Sequence, residues 1–209
     1  MAVATPIVFV VDDDIALRES LGSLISNSGR RVALFTCAME FLASPRPPSP
    51  CCLVLDVGLP DLNGLELQQQ IASERADMPI IFITGRGDIP MTVQAMKAGA
   101  VEFLTKPFTP AVILRAIQSA LERSRIWLEQ EAKLRALRAR YQTLSRREGE
   151  VLALVVRGLL NKQVSGELGI SEITVKQHRG RMMRKMRTRS LPELVTIAAR
   201  LGLMTAGKG

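Results

Sequence analysis

Five short, largely apolar runs divide the first half of the chain. Each has four or five residues, which is too few for a typical helix, and branched side chains are frequent in them. Runs of this kind are typical of strands in a parallel sheet that is covered on both faces. The predicted strands are Ile7–Val11, Arg31–Phe35, 52–55, 79–83 and 101–104.

Helical patterns fill most of the intervals between these runs. The first stops at Gly29, and further helices are predicted at 39–42, 64–73, 90–99 and from Pro110 onward. The proline-rich segment 44–50 is predicted to be a surface loop, because proline removes backbone donors. Strands that alternate with helices indicate an α/β fold, a doubly wound, five-stranded parallel sheet.

The second half of the chain shows helical patterns only. No proline or glycine occurs from 111 to 148, so a long helix is predicted to join the two halves. Ser145 and Glu148 match a capping box at the start of the next helix. Short helix, glycine turn and longer capped helix then follow, which is the order of a helix-turn-helix within an all-α, four-helix domain. These helices are predicted at 145–157, Asn161–Leu168, Glu172–Met186 and 192–201.

Charge separates the two halves as well. Through Ser124 there are 10 Lys and Arg against 13 Asp and Glu, a net charge of −3; from Arg125 onward there are 18 against 7, a net charge of +11. The basic half is too rich in Leu, Val, Ile and Met to be a disordered tail. The charge therefore predicts two modules, of which the second faces a polyanion.

The three cysteines form neither a metal-ligand nor a disulfide pattern. Cys51 and Cys52 adjoin a predicted buried strand and are expected to pack as small apolar residues, which suits a reducing compartment. The N-terminus lacks the basic-then-apolar pattern of a signal peptide, and no apolar stretch is long enough to span a bilayer. We therefore expect a soluble, cytoplasmic protein with no membrane partner.

Polar residues stand at the ends of four predicted strands: Asp12 and Asp13, Asp56, Thr84, and Lys106. The carboxyl ends of parallel strands share one edge of a sheet, so these side chains are expected to lie close together. Three carboxylates at one edge repel each other unless a cation lies among them, and Mg²⁺ suits such a donor set. Each residue alone is often structural, but together they predict a nucleophilic Asp56 whose phosphoryl group contacts Thr84 and Lys106.

The predicted helix Glu172–Met186 is strongly basic. Arg and Gln can read base edges, and Lys and Arg anchor phosphates, so this helix is expected to enter the major groove. His178, the single histidine, is expected to pack or to contact a phosphate, because no second His or Cys lies nearby. The predicted DNA-binding residues are Lys162, Thr174, Lys176, Gln177, Arg179, Arg181 and Arg187.

Motifs across residues 1–124 resemble those of the receiver domains of two-component response regulators. They are VVDDD (10–14), LDVGLPDLNG (55–64), ITG (83–85), AMKAGA (95–100), Phe103 and KPF (106–108). The resemblance implies a flavodoxin-like fold in which a sensor histidine kinase phosphorylates Asp56. It implies Mg²⁺ bound by Asp13, Asp56 and the backbone carbonyl of Gly58, with Asp12 assisting. It also implies that Lys106 contacts the phosphoryl group through a cis Lys106–Pro107 bond.

Motifs from about 142 to 203 resemble the LuxR/NarL-type DNA-binding domain: LSRREGEVL (144–152), GLLNKQV (158–164), LGIS (168–171) and TVKQHR (174–179). The whole chain is thus similar to a FixJ/NarL-type response regulator, leaning to the FixJ branch. The implied parts are a receiver domain at 1–124, a helical linker at 125–141 and a DNA-binding domain at 142–209. The implied function is regulation of transcription, as an activator that works with RNA polymerase and not as an enzyme.

The same resemblance implies a switch. Phosphorylation would draw Thr84 and Lys106 inward, and Phe103 would fill the space that Thr84 leaves. The receiver would then form a homodimer through the face that carries Val93, Met96 and Lys97, and two recognition helices would read two half-sites of promoter DNA.

The sequence departs from the family pattern at four glycines. Gly58 stands where the family usually has a side chain beside the phosphorylation site. The family pattern therefore does not predict how well water reaches the acyl phosphate, or how long the acyl phosphate lasts. Gly149, Gly166 and Gly180 lie inside predicted helices, where glycine costs about 0.5–1 kcal/mol relative to alanine.

Three other classes of protein compare with the sequence as follows. A haloacid-dehalogenase-type phosphatase needs an acid two residues after its nucleophile, where this chain has Gly58. A dinucleotide-binding enzyme needs a glycine-rich motif after its first strand, where this chain has three aspartates. A protein-binding adaptor stays open as the alternative, and failure to bind duplex DNA at moderate salt would favour it.

Overall fold

The computed structural model describes residues 5–45, 48–72, 74–85 and 89–203. Predictions that fall on 46–47, Ser73, 86–88 and 204–209 lie outside these residues. The chain divides into two compact units, Met1–Glu129 and Gln130–Gly209. In the described part of the chain, no helix is both long and apolar enough to cross a membrane.

The first unit is built on a five-stranded sheet. Its elements in chain order are β1 (Ile7–Val11), α1 (Ile15–Asn27), β2 (Arg31–Phe35), α2 (Ala38–Leu42), β3 (Cys51–Asp56), α3 (Gly64–Ile71), β4 (Ile80–Thr84), α4 (Ile89–Lys97) and β5 (Glu102–Thr105). All neighbouring strands are parallel, in the order β2-β1-β3-β4-β5. The strand order reverses at β1, which places a crevice between the carboxyl ends of β1 and β3.

Alternate residues of the central strands pack into two separate cores. Phe9, Leu53 and Leu55 point to the face that α2, α3 and α4 cover. Val10 and Val54 point to the opposite face, which is covered by α1 and the start of α5 (Pro110–Gln142). Every residue of β1, β3 and β4 is buried, which confirms for these three strands the prediction that they are covered on both faces. The edge strands β2 and β5 are partly exposed, because each has a neighbouring strand on one side only. Cys51 and Cys52 are fully buried among them.

Helix α5 is 33 residues long, as the absence of proline and glycine predicts. The second unit continues with α6 (Arg146–Val156), α7 (Asn161–Leu168), α8 (Glu172–Met186) and α9 (Leu191–Arg200). The capping box is formed, because Ser145 Oγ accepts from the Glu148 N–H and the Glu148 carboxylate accepts from the Ser145 N–H. The core of this unit consists mainly of Leu, Val and Met side chains, and α8 supplies Val175, Met182 and Met186 to it.

Several boundaries differ from the predicted ones by one or two residues. Strands β4 and β5 begin one residue later than predicted and extend to Thr84 and Thr105. Helix α9 begins at Leu191 and not at Pro192, because Ser190 Oγ accepts from the Glu193 N–H and so caps the helix before the proline. Helix α4 begins at Ile89 and ends at Lys97, two residues before the predicted stop at Gly99.

Candidate functional site

Three carboxylates meet at the carboxyl edge of the sheet. Asp12 follows β1, Asp56 ends β3, and the register pairs Val11 with Leu55, so the two aspartates are neighbours across the crevice. Carboxylate oxygens of Asp12, Asp13 and Asp56 all lie within 4.8 Å of one another. Asp12 and Asp56 are buried, whereas Asp13 is exposed. The structure thus brings together the acidic residues that the strand ends predict.

Lys106 reaches this cluster from the end of β5. Its Nζ donates to Asp12 Oδ2 at 2.8 Å and to Asp56 Oδ2 at 3.1 Å. The Lys106–Pro107 peptide bond is cis, as the resemblance implied. The backbone N–H of Lys106 donates to the Thr84 carbonyl at 2.7 Å, which ties the ends of β4 and β5 together.

The cluster holds more negative charge than Lys106 neutralises. Burial raises the pKa of the Asp12 carboxyl above its ordinary value, although hydrogen bonds from Lys106 and the Asp14 N–H oppose this effect. Burial alone would lower the pKa of Lys106, but its hydrogen bonds to Asp12 and Asp56 outweigh it and raise the pKa. Burial therefore raises the pKa of Asp12, whereas the two carboxylate partners raise that of Lys106. Three carboxylates beside one lysine in a partly buried crevice favour the binding of a further cation.

The backbone of this acidic segment is held by two residues that the sequence analysis did not single out as structural. Asp14 caps α1, since its Oδ1 accepts from the Ala16 N–H at 2.9 Å and the Leu17 N–H at 3.2 Å. Arg18 Nη1 donates to the Asp12 carbonyl at 2.7 Å. An Asp immediately before an apolar helical pattern is a recognisable N-cap signal, whereas nothing in the pattern points to Arg18.

The loop after Asp56 contains two glycines with opposite surroundings. A Cβ on Gly58 would meet nothing within 4 Å, and the Gly58 N–H donates to Asp56 Oδ1 at 3.3 Å. A Cβ on Gly64 would lie 2.6 Å from the Asp56 carbonyl oxygen and 3.0 Å from Val57 Cα. Gly64 therefore lets the start of α3 approach the end of β3 more closely than any side chain would allow.

Asp61, in the same loop, links it to α2. Its carboxylate accepts from the Ala38 N–H at 3.2 Å and the Met39 N–H at 3.0 Å. Burial would raise the pKa of Asp61, but these N–H donors outweigh it and lower the pKa. Asp61 belongs to the motif LDVGLPDLNG (55–64), but the motif does not indicate this contact, which joins residues 22 and 23 positions apart.

The predicted switch residues Thr84 and Phe103 lie on β4 and β5, on one side of β3 in the sheet. Thr84 is buried at the end of β4. Phe103, on β5, is half-buried, and its ring lies 6.1 Å from that of Phe82. On α4, Val93 is 44% exposed and Met96 42% exposed, and Lys97 is exposed. Ile89 is 80% exposed at the start of α4 and was missed, because the predicted helix began at Pro90.

In the second unit, most of the predicted DNA-binding residues are free to contact a ligand. Lys162, Lys176, Gln177, Arg181 and Arg187 are all exposed. Two others make internal contacts as well. Arg179 Nη1 donates to Asn161 Oδ1 at 3.0 Å and so braces α7 against α8. The hydroxyl of Thr174 lies 2.9 Å from that of Ser171 in the N-cap of α8.

An ion pair between the exposed Lys185 and the buried Glu148 holds α8 against the start of α6. Lys185 Nζ donates to Glu148 Oε2 at 2.6 Å and to the Thr143 carbonyl at 2.9 Å. Burial would raise the pKa of Glu148, but Lys185 and the Ser145 N–H outweigh it and lower the pKa. His178 is half-buried on α8.

Known protein families match both parts of the chain, the unit with the acidic cluster and the unit with the basic helix α8. The model of the response regulator receiver domain matches residues 8–118, and the model of bacterial regulatory proteins of the luxR family matches residues 142–198. A receiver domain joined to a LuxR-type DNA-binding domain defines a two-component regulator of transcription. The chain belongs to the FixJ/NarL-type response regulators.

Relatives cover almost the whole chain. It is 51% identical to Nodulation protein W of Bradyrhizobium diazoefficiens, over 94% of this chain and 87% of that protein. It is 43% identical to the transcriptional regulatory protein FixJ of Azorhizobium caulinodans, over 95% of this chain and 94% of that protein. Among solved structures, the response regulator StyR matches with a TM-score of 0.82 at 47% identity, over 94% of this chain and 100% of that chain.

Proposed function

We propose that Asp56 accepts a phosphoryl group from a sensor histidine kinase and that this phosphorylation switches on sequence-specific DNA binding, which activates transcription. The observation that carries the proposal is the position of the Asp56 carboxylate. It lies 3.1 Å from Lys106 Nζ and within 4.8 Å of the carboxylate oxygens of Asp12 and Asp13. A nucleophilic carboxylate with a lysine and further hard oxygen donors beside it is suited to phosphoryl transfer.

In the transfer step, an Asp56 carboxylate oxygen attacks the phosphorus of the kinase's phosphohistidine. The phosphorus–oxygen bond forms as the phosphorus–nitrogen bond breaks, and the imidazole leaves. Lys106 then offers its ammonium to a phosphoryl oxygen, and the Thr84 hydroxyl offers a hydrogen bond to another. Asp56 is better placed than Asp13 as the acceptor, because it lies deeper in the crevice and in direct contact with Lys106.

The donor set fits Mg²⁺. Hard carboxylate oxygens with room for several waters are the ligands that this ion prefers. Asp12, Asp13, Asp56 and the backbone carbonyl of Gly58 would hold it. When bound, it supplies positive charge that offsets the charge of the phosphoryl oxygens.

The remaining parts of the proposal concern partners. Besides the kinase, these are double-stranded promoter DNA, RNA polymerase, and a second copy of the chain once Asp56 is phosphorylated. We assign the receiver domain to 1–124, the linker to 125–141 and the DNA-binding domain to 142–209; the matched ranges 8–118 and 142–198 lie within the two domains. The protein acts as a regulator and not as an enzyme, in the cytoplasm where its DNA target lies.

The test is phosphorylation followed by DNA binding. The full chain is treated with acetyl phosphate and Mg²⁺, and acid-labile phosphate and a gel shift on the chain's own upstream DNA are measured. Asp56→Asn should abolish the label and the gain in DNA affinity. Asp14→Asn is the matched control, because asparagine caps a helix as well as aspartate and Asp14 is one of three consecutive aspartates. Undiminished labelling of Asp56→Asn would refute the assignment.

A further inference from the structure

Helix α8 has an outward face opposite its buried face. Val175, Met182 and Met186 are fully buried in the core of the second unit. Residues advance by about 100° per position around an α-helix. On that basis the side of α8 that lies directly opposite these three residues carries Ile173, Gln177, Gly180 and Arg184. All four are exposed.

From Ile173 to Arg181, the charges on this face stand on either side of an uncharged centre. Ile173, Gln177 and Gly180 lie in the middle of the outward face, and Lys176 and Arg181 stand on its two sides, both exposed. Arg184, one turn beyond, turns its Nε toward the Gly180 carbonyl at 3.4 Å. In a DNA groove the phosphates form the two walls and the bases form the floor. Cations at the sides and uncharged groups in the centre match that distribution.

Ile173 is the unusual member of this face. It is 70% exposed, whereas Val175, two residues later, is 0% exposed and supplies the packing of the same turn. Ile173 lies in the first turn of α8, which Ser171 caps. The N-terminal residues of a recognition helix are the ones that contact base edges in the major groove.

We propose that Ile173 contacts the 5-methyl group of a thymine in the major groove and makes the protein select thymine at that position of its operator. The proposal rests on the DNA-binding function proposed above. The 5-methyl of thymine is the apolar group that the base pairs present in the major groove, so an exposed apolar side chain among DNA-reading groups has a complementary partner there. Gln177, four residues on and adjacent on the helix surface, is suited to an adenine, and Lys176 to a guanine.

The test compares thymine with deoxyuracil, which lacks only the methyl group. The full chain, treated with acetyl phosphate and Mg²⁺, selects duplexes from a random pool, and each thymine of the selected duplex is then replaced by deoxyuracil in turn. We expect at least one thymine whose replacement weakens binding about fourfold, the effect of withdrawing one methyl-sized group from an apolar contact. Ile173→Ala should bind the thymine and deoxyuracil duplexes equally at that position.

Leu160→Ala is the matched control, because Leu160 is 71% exposed in the same unit but lies before α7 and not on the outward face of α8. It should keep the wild-type ratio between thymine and deoxyuracil. Sequence-selective binding with equal affinity for thymine and deoxyuracil at every position would overturn the Ile173 assignment and leave the proposed function standing. So would an Ile173→Ala protein that retains the discrimination. Failure to select any duplex would instead overturn DNA binding itself.

Discussion

The chemistry of Asp56 depends on side chains that lie at the ends of other strands. Lys106 and Asp12, its neighbours in the crevice, are 50 and 44 residues away along the chain, and Lys106 contacts both carboxylates. Gly64 lies closer in sequence and acts through its lack of a side chain, because a Cβ there would meet the carbonyl of Asp56 itself. For a single residue such as Asp56, reactivity is set by which atoms can approach its carboxylate and its backbone.

We predict that Gly64→Ala destabilises the protein by about 1–3 kcal/mol, the usual cost of overpacking a well-packed region. The added methyl group would displace the Asp56 backbone, so phosphorylation by acetyl phosphate should slow as well. Urea unfolding and the rate of labelling measure the two effects. Gly58→Ala is the matched control. The space around Gly58 is open, so the stability of this variant should differ little from that of the wild type. Equal stabilities of the two variants would contradict the prediction.

Some polar residues of helix α8 bind other helices of the second unit, and others are exposed and able to contact DNA. Arg179 and Lys185 bind Asn161 and Glu148 inside the second unit, while Lys176, Gln177 and Arg181 stay exposed. A basic residue on this helix is therefore not by itself a DNA contact, and its partner within the fold decides its role.

Gly180→Ala should have opposite effects on stability and on DNA binding. Gly180 lies inside a helix, and a Cβ added there would meet nothing within 4 Å, so alanine should stabilise the protein by about 0.5–1 kcal/mol. The same methyl group would stand at the centre of the outward face and should weaken operator binding on the order of tenfold, as the loss of one base-pair contact does. Gly149→Ala, in α6 with equally open surroundings, should stabilise the protein without weakening DNA binding. Chemical denaturation and gel shifts give both quantities, and unchanged DNA affinity of Gly180→Ala would count against this view of the face.

The Glu148–Lys185 pair should make stability depend on pH. The folded protein lowers the pKa of Glu148 below its ordinary value of 4.5, so the contribution of the pair is complete above about pH 4.5 and is lost as the pH falls through the folded pKa. At pH 7, Glu148→Gln should cost about 1.5–3 kcal/mol, the range for a hydrogen bond to a charged group. The gap between wild type and variant should narrow below pH 4.5. Denaturant unfolding at pH 7 and below pH 4.5 measures the difference in stability between wild type and variant. A difference that grows in acid would refute the prediction.

The whole molecule combines a near-neutral receiver half with a basic DNA-binding half, with net charges of −3 and +11. The acidic cluster belongs to the first unit and the helix-turn-helix to the second. A dimer joined through the receiver would present two recognition helices to two half-sites, so DNA affinity can rise without any change in the DNA-binding surface.

We expect phosphorylation to convert the protein from monomer to dimer through the exposed apolar residues of α4. Val93→Glu should accept phosphate normally but stay monomeric in sedimentation and lose about 10²-fold or more of the DNA affinity that pairing adds. Val112→Glu is the matched control, because Val112 is 38% exposed on α5 and not on α4. A wild-type protein that remains monomeric when phosphorylated yet gains DNA affinity would refute dimerisation as the mechanism.

The sequence by itself determined the elements and the chemistry at their ends. The spacing of apolar residues is a local property, so β1, β2, α7 and α8 lie where the pattern predicts them, and Asp56 could be recognised at the end of a buried strand. Only the tertiary structure decided which residues meet. The strand ends predicted that Lys106 and Asp12 lie at one edge of the sheet, but not that they share a hydrogen bond. The contacts of Arg179 with Asn161 and of Asp61 with α2 depend on packing that brings distant residues together, and no local pattern indicates them. Helical spacing is local as well, so it could indicate that Val175, Met182 and Met186 face inward, as they do; that Ile173 is 70% exposed became visible only in the packed unit, because the exposure of a side chain depends on what packs beside its helix.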